Sequence, residues 1–101
     1  MLKDNLISLE VDNLTNLRNI FSEIRADIDN ADSSYKLDGI YNRAGYVVVL
    51  VNDAFWERKF PEDIDNMRSI AETEFRETAR RLNMQAEELG MAGNYDEIWA
   101  D

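Results

Sequence analysis

The chain has no cysteine and no histidine. Without cysteine there are no disulfides, thiolate nucleophiles, iron–sulfur clusters or Cys-based zinc sites. Without histidine the commonest general base and the commonest transition-metal ligand are both missing. Long hydrophobic runs are absent too: the longest, Tyr46 to Val51, falls far short of a membrane span. The opening M-L-K-D-N-L-I-S-L-E has no extended apolar segment, so no signal peptide is expected. These absences predict an intracellular, cytoplasmic protein with no cofactor. Positive charge is also scarce, with 11 Lys+Arg against 21 Asp+Glu and a net charge of −10. A surface of that sign repels a phosphate backbone, so direct nucleic-acid binding is not expected. A basic protein partner is the natural complement.

What remains is material for one small domain spanning residues 1–101, with 45% apolar residues, two Trp, four Tyr and four Phe. Leu6 to Val11 reads as a short edge strand, and Asp12 or Asn13 as a helix cap. Leu14, Leu17, Ile20, Phe21, Ile24 and Ile28 recur at helical spacing, which predicts an amphipathic helix through about residue 29. Leu37 to Tyr41 reads as a strand, Asn42-Arg43-Ala44-Gly45 as a hairpin turn, and Tyr46 to Val51 as a second strand, apolar on both faces. Ala54 to Phe60 reads either as a helical turn capped by Asp53 or as a loop pinned by Phe55, Trp56 and Phe60. Pro61 then opens a long helix, with Glu62, Asp63 and Asp65 in its first turns and Gly90 as its stop. A helix of that length is expected to bend near Asn83 or to carry its far end onto a partner or a second copy. The expected fold is α+β: a small, mainly antiparallel sheet of two or three strands, covered by the N-terminal helix and the long C-terminal one.

The stretch R-A-D-I-D-N-A-D-S-S-Y-K-L-D, residues 25–38, has the acid density of a calcium loop. In a frame starting at Asp27, Ala31 and Asp32 stand where a ligand and a glycine are required. In a frame starting at Asn30, Tyr35 replaces the glycine and Tyr41 the final acid. Neither frame fits, so no metal site is expected. The four glycines form no phosphate-binding pattern, and Ser33-Ser34 has no nucleophile elbow. No catalytic role is expected.

Charge is segregated along the chain. Residues 1–34 carry seven acids and three bases, residues 35–60 three and four, and residues 61–101 eleven and four. Glu72–Arg76 and Glu77–Arg81 have the spacing of ordinary i,i+4 pairs. The remaining acids are the candidate contact residues: Asp27, Asp29, Asp32, Glu62, Asp63 and Asp65, then Glu87, Glu88, Asp96 and Glu97, with Trp99 as an apolar anchor. In size and charge the chain is similar to the small acidic anti-restriction and anti-CRISPR proteins of phages and mobile elements. That likeness implies an inhibitor whose carboxylates imitate the phosphates of a duplex and occupy a basic groove. The alternative expectation is an accessory or scaffold subunit that self-associates through the long helix or the C-terminal tail.

Overall fold

The computed structural model describes the backbone of residues 14–96 and the side chains of residues 17–96. The expected edge strand at residues 6–11, the cap at Asp12 or Asn13, and Glu97, Ile98 and Trp99 lie outside the described residues. Helix α1 spans Leu14–Ala26 and is followed by a 3-10 turn, Ile28–Asn30. Helix α2 spans Ser34–Val51, α3 Ala54–Lys59 and α4 Ile64–Glu88.

Among the described residues there is no strand, and the α+β expectation is overturned. The two expected strands and the hairpin between them are one continuous 18-residue helix, α2. Its inner stripe is Leu37, Ile40, Ala44, Val47 and Val51, spaced by three and four residues, and all five are at most 4% exposed. Three consecutive valines suggest a strand, but β preference mostly reflects fit to a half-buried surface. A valine in a helix is disfavoured by only a few tenths of a kcal/mol relative to Leu, whereas burying one contributes about 1.5–3 kcal/mol. Packing therefore decides. The start of α2 is fixed locally by Ser33, whose Oγ accepts from the Lys36 N–H at 3.3 Å. Gly45, expected to turn a hairpin, is buried inside the helix.

The long helix also begins later than expected. Pro61 to Asp63 form a turn, and α4 runs for 25 residues from Ile64. Glu62 and Asp63 therefore precede the first helical turn, while Asp65 lies in it. The C-terminal stop is where the glycine predicts it. Gly90 has φ +78, the Met91 N–H donates to Ala86 O at 2.8 Å, and the Gly90 N–H donates to Glu87 O at 3.0 Å. This is a Schellman closure, which needs the left-handed conformation that only glycine adopts freely. The Ala54 to Phe60 alternatives resolve to a helix, because the Asp53 carboxylate accepts from the Phe55 N–H at 2.8 Å. Within it Trp56 is buried, and the Lys59 ammonium sits 5.0 Å from its ring centre and 5.3 Å from that of Phe60.

Helix α4 is the centre of the arrangement, with α1 on one flank and α2 on the other. Its buried stripe is Ile64, Met67, Ala71, Phe75, Thr78, Ala79, Leu82 and Ala86. α1 runs in the same direction as α4: Arg25 reaches Glu74, and further on Gln85 Nε2 donates to Ala31 O at 3.1 Å. α2 runs antiparallel to α4: Tyr41 packs on Phe75 with ring centres 5.3 Å apart, while Arg68 Nε donates to Val51 O at 2.9 Å. That last bond places a cation on the C-terminal carbonyls of α2, where the dipole favours it. One half-buried polar lock sets α1 on α4. Arg25 pairs with the Glu74 carboxylate at 2.7 Å, and buried Thr78 satisfies its hydroxyl by donating to Glu74 O at 2.8 Å. No helix among the described residues is long and apolar enough to cross a membrane.

Two substitutions test this packing in opposite directions. Leu82→Ala, at a position with no exposed surface, is expected to lower unfolding free energy by about 2–5 kcal/mol. Gly39→Ala, where an added methyl meets nothing within 4 Å, is expected to raise it by about 0.5–1 kcal/mol. Urea denaturation followed by circular dichroism at low micromolar protein reads both; a sheet at residues 37–51 predicts no gain from alanine at 39.

Candidate functional site

Packing sorts the acids more sharply than the sequence does. In the middle of α4 they are consumed by internal pairs. Glu74 holds Arg25, Glu72 holds Arg76 at 3.1 Å, and Glu77 bonds Arg80. The expected Glu77–Arg81 pair is thus replaced by a three-residue step to Arg80. The two exposed pairs, Glu72–Arg76 and Glu77–Arg80, contribute about 0.2–1 kcal/mol each and neutralise their own field.

The ends of the bundle differ. Glu62, Asp63 and Asp65 lie at the start of α4, some 22 residues from Glu87, which is about 33 Å along the helix. The contact candidates therefore do not form one surface. Asp27, Asp29 and Asp32 do belong with Glu87 and Glu88, because the Gln85–Ala31 bond ties the end of α4 to the connection between α1 and α2. Asp96 does not join them: the C-terminal segment carries it back to Tyr41, which packs on Phe75 in the middle of α4.

That segment folds back along α4 and explains why the far end of a long helix does not stand free. The Tyr95 N–H donates to Asn83 Oδ1 at 2.8 Å, and Asn83 Nδ2 donates to Tyr95 O at 2.9 Å. The Tyr95 hydroxyl donates to Asp38 Oδ1 at 2.6 Å, and its ring lies 5.0 Å from that of Tyr41. Gly93 allows the approach: a side-chain carbon there would come within 3.0 Å of Asn83 Cβ and 3.1 Å of its carbonyl oxygen. Tyr95 therefore docks on its own chain. Burial, then the hydrogen bond to Asp38 and its negative charge, push the Tyr95 phenol well above its ordinary value. Burial and then the Asp96 charge push Tyr41 up, opposed by a backbone hydrogen bond at Asp96.

The acidic end thus gathers Asp27, Asp29, Asp32, Asp38, Glu87 and Glu88 against three bases, Lys36, Arg43 and Arg81. Two of the acids are partly neutralised: Asp27 bonds Arg43 at 2.8 Å and Asp32 bonds Lys36 at 3.0 Å. The bond to Lys36, with its charge, holds the Asp32 carboxyl below the ordinary range. The wrong-sign charge after α1 also has a second reading. Asp32 immediately precedes the cap of α2, where negative charge is favourable. Asp29, Glu87 and Glu88 are exposed and make no ion pair among the described residues. No three acids among the described residues are placed to share a metal ion.

Sequence reasoning missed the apolar residues at this end. Tyr35 is 86% exposed, and Met84 and Leu89 are also exposed. Tyr35 becomes visible as an outward residue only when 34–51 is read as one helix, because it falls off the inner stripe. Tyr35, Met84 and Leu89 thus leave apolar surface among the acids. Neither a protein-family model, nor a curated protein, nor a solved structure matches the chain.

The latch makes a pH prediction. Because the folded state raises the Tyr95 pKa above its ordinary 10.0, the neutral phenol is the form the fold prefers. The stabilisation is complete below about pH 10 and is lost as pH rises beyond it. Hydrogen exchange at the Tyr95 and Asp96 amides is expected to accelerate above that pH beyond base catalysis alone. Tyr95→Phe is expected to remove the Tyr95 part of that pH step, and Gly93→Ala to leave the same amides unprotected at neutral pH.

Proposed function

We propose that the chain is a non-catalytic binding protein whose acidic end occupies a basic surface of a partner protein. The concrete form of the proposal is an inhibitor seated in the cationic groove of a nucleic-acid-binding protein, in the cytoplasm where such partners work. The observation that carries it is the gathering of six acids against three bases at one end of the bundle, together with exposed Tyr35, Met84 and Leu89. Solubility alone does not require acids to be concentrated in this way. A carboxylate array on and between helix ends presents fixed negative charge, the sign a phosphate-binding groove attracts. Glu87 and Glu88 sit in the last turn of α4, where the dipole disfavours them. Their retention there supports a use outside the fold.

The packing also selects which residues to test. Asp27 and Asp32 have internal partners, so replacing them mixes binding with stability. Asp29, Glu87 and Glu88 do not. The triple variant Asp29→Asn, Glu87→Gln, Glu88→Gln is expected to keep or slightly raise the melting temperature while slowing association with a basic nucleic-acid-binding protein. Wild-type affinity is expected to weaken at least tenfold between about 50 mM and about 500 mM salt, and nucleic acid is expected to compete. Surface plasmon resonance reads all three, and an affinity indifferent to both salt and the triple variant rejects the proposal.

A further inference from the structure

α2 is apolar on two sides, and the described residues cover only one of them. Opposite the inner stripe, Tyr35, Gly39, Asn42, Tyr46 and Val49 follow one another at alternating steps of four and three, so they form a single line along the helix. All five are exposed, with Tyr35 at 86%, Val49 at 53% and Tyr46 at 36%. Phe55, on α3 just beyond the end of α2, is also half exposed at 52%. A helix with apolar residues on opposite faces is ordinarily covered on both.

Charge identifies the occupant. The line contains no acid, in a chain with 21 of them, so a strongly basic partner gains nothing from it. Two copies of a chain with net charge −10 repel over most of their surface and can meet only where neither presents carboxylates. An uncharged, self-complementary strip is also what a two-fold contact requires.

The geometry points to the outer face of α2 as the contact between two copies of this chain, with the two helices antiparallel. The direction follows from the acidic end, which lies at the start of α2. Parallel pairing would bring both acidic ends together. Antiparallel pairing separates them by about 27 Å, the length of 18 helical residues, which is more than three Debye lengths at physiological salt. Each acidic end then lies near the α3 end of the other copy, where Asp53, Glu57, Glu62, Asp63 and Asp65 stand against Arg58, Lys59 and Arg68, a smaller acidic excess than at the other end. Gly39 permits close backbone approach, and Asn42 places one polar group at the middle of the strip, a feature that fixes register in paired helices. One helix face is small for an interface, so the association is weak and concentration-dependent. This inference is independent of the acidic-end proposal and has the opposite salt dependence.

Sedimentation equilibrium of the full chain, from about 5 µM to about 1 mM at about 50 mM and about 500 mM salt, tests it. The mass is expected to rise with concentration from 11.7 kDa toward twice that value. Association is expected to be several-fold tighter at the higher salt, because repulsion between copies is screened while the apolar contact persists. Val49→Glu is expected to abolish the rise without changing helix content or melting temperature. In this cysteine-free chain, Asn42→Cys is expected to give an oxidised dimer and Tyr35→Cys is not. A dimer that survives Val49→Glu, or one that oxidises through Tyr35→Cys and not Asn42→Cys, overturns the inference. So does a monomer under every condition. In that case radical footprinting assigns the strip: Tyr35 and Tyr46 shielded means that another segment of the same chain covers it, and both labelled means that it is bare.

Discussion

The stripe along α4 from Ile64 to Ala86 has to be covered on two sides, and the rest of the structure follows from that requirement. The stripe mixes large residues, Met67, Phe75 and Leu82, with Ala71, Ala79 and Ala86, all fully or nearly fully buried. The alanines let neighbouring backbones approach while the large side chains fill the gaps between helices. α1 meets this surface with Leu17, Ile20, Phe21 and Ile24, and α2 meets it with Leu37, Ile40, Ala44, Val47 and Val51. α1 is marginal alone in water at 13 residues, and α2, though 18 residues long, is weakened as an isolated helix by its glycines and valines. Their helical state is a consequence of docking on α4, and the polar contacts refine it. Arg25 sets α1 against Glu74, Arg68 closes the end of α2, and Gln85 holds the connection between α1 and α2.

The same packing determines where charge is left over. Acids at the middle of α4 face bases one turn away or across the groove, so their fields cancel locally. Acids at the helix ends and in connections have fewer neighbours and keep theirs. Folding therefore converts a chain with excess acid almost throughout into a molecule with an acidic end and a charge-free line on α2. Different partners are proposed for them: a basic surface for the first, with binding that weakens with salt, and another copy for the second, with association that strengthens with salt.

α1 and α4 were legible in the sequence because each carries one unambiguous stripe at helical spacing, and Gly90 marks the end of α4 by its own conformational freedom. α2 was not legible, because its inner stripe and its exposed apolar residues interleave: Val47, Val48, Val49, Leu50 and Val51 are consecutive, and a run apolar on every side has no visible period. The glycine at 45 strengthened the hairpin reading, although it lies within a helix. The acidic character of the candidate site was legible, but its grouping was not. Asp29 and Glu88 are distant in sequence and share an end only because α1 runs parallel to α4. Asp63 and Glu87 lie on one segment, yet the rigid length of α4 separates them. The docking of Tyr95 had a weak signal in its aromatic side chain; its dependence on Gly93 and Asn83 had none.

By itself the sequence determined the chemistry available to this protein: no thiol, no imidazole, excess carboxylate, and two helices set by local periodicity and capping. Those properties depend on composition and on neighbours within one or two turns. Tertiary structure alone decided that residues 34–51 are helix, which acids remain unpaired, and which side of α2 stays uncovered. Each of those outcomes depends on burial against α4. Burial of a single valine outweighs the intrinsic preferences that a local reading can weigh.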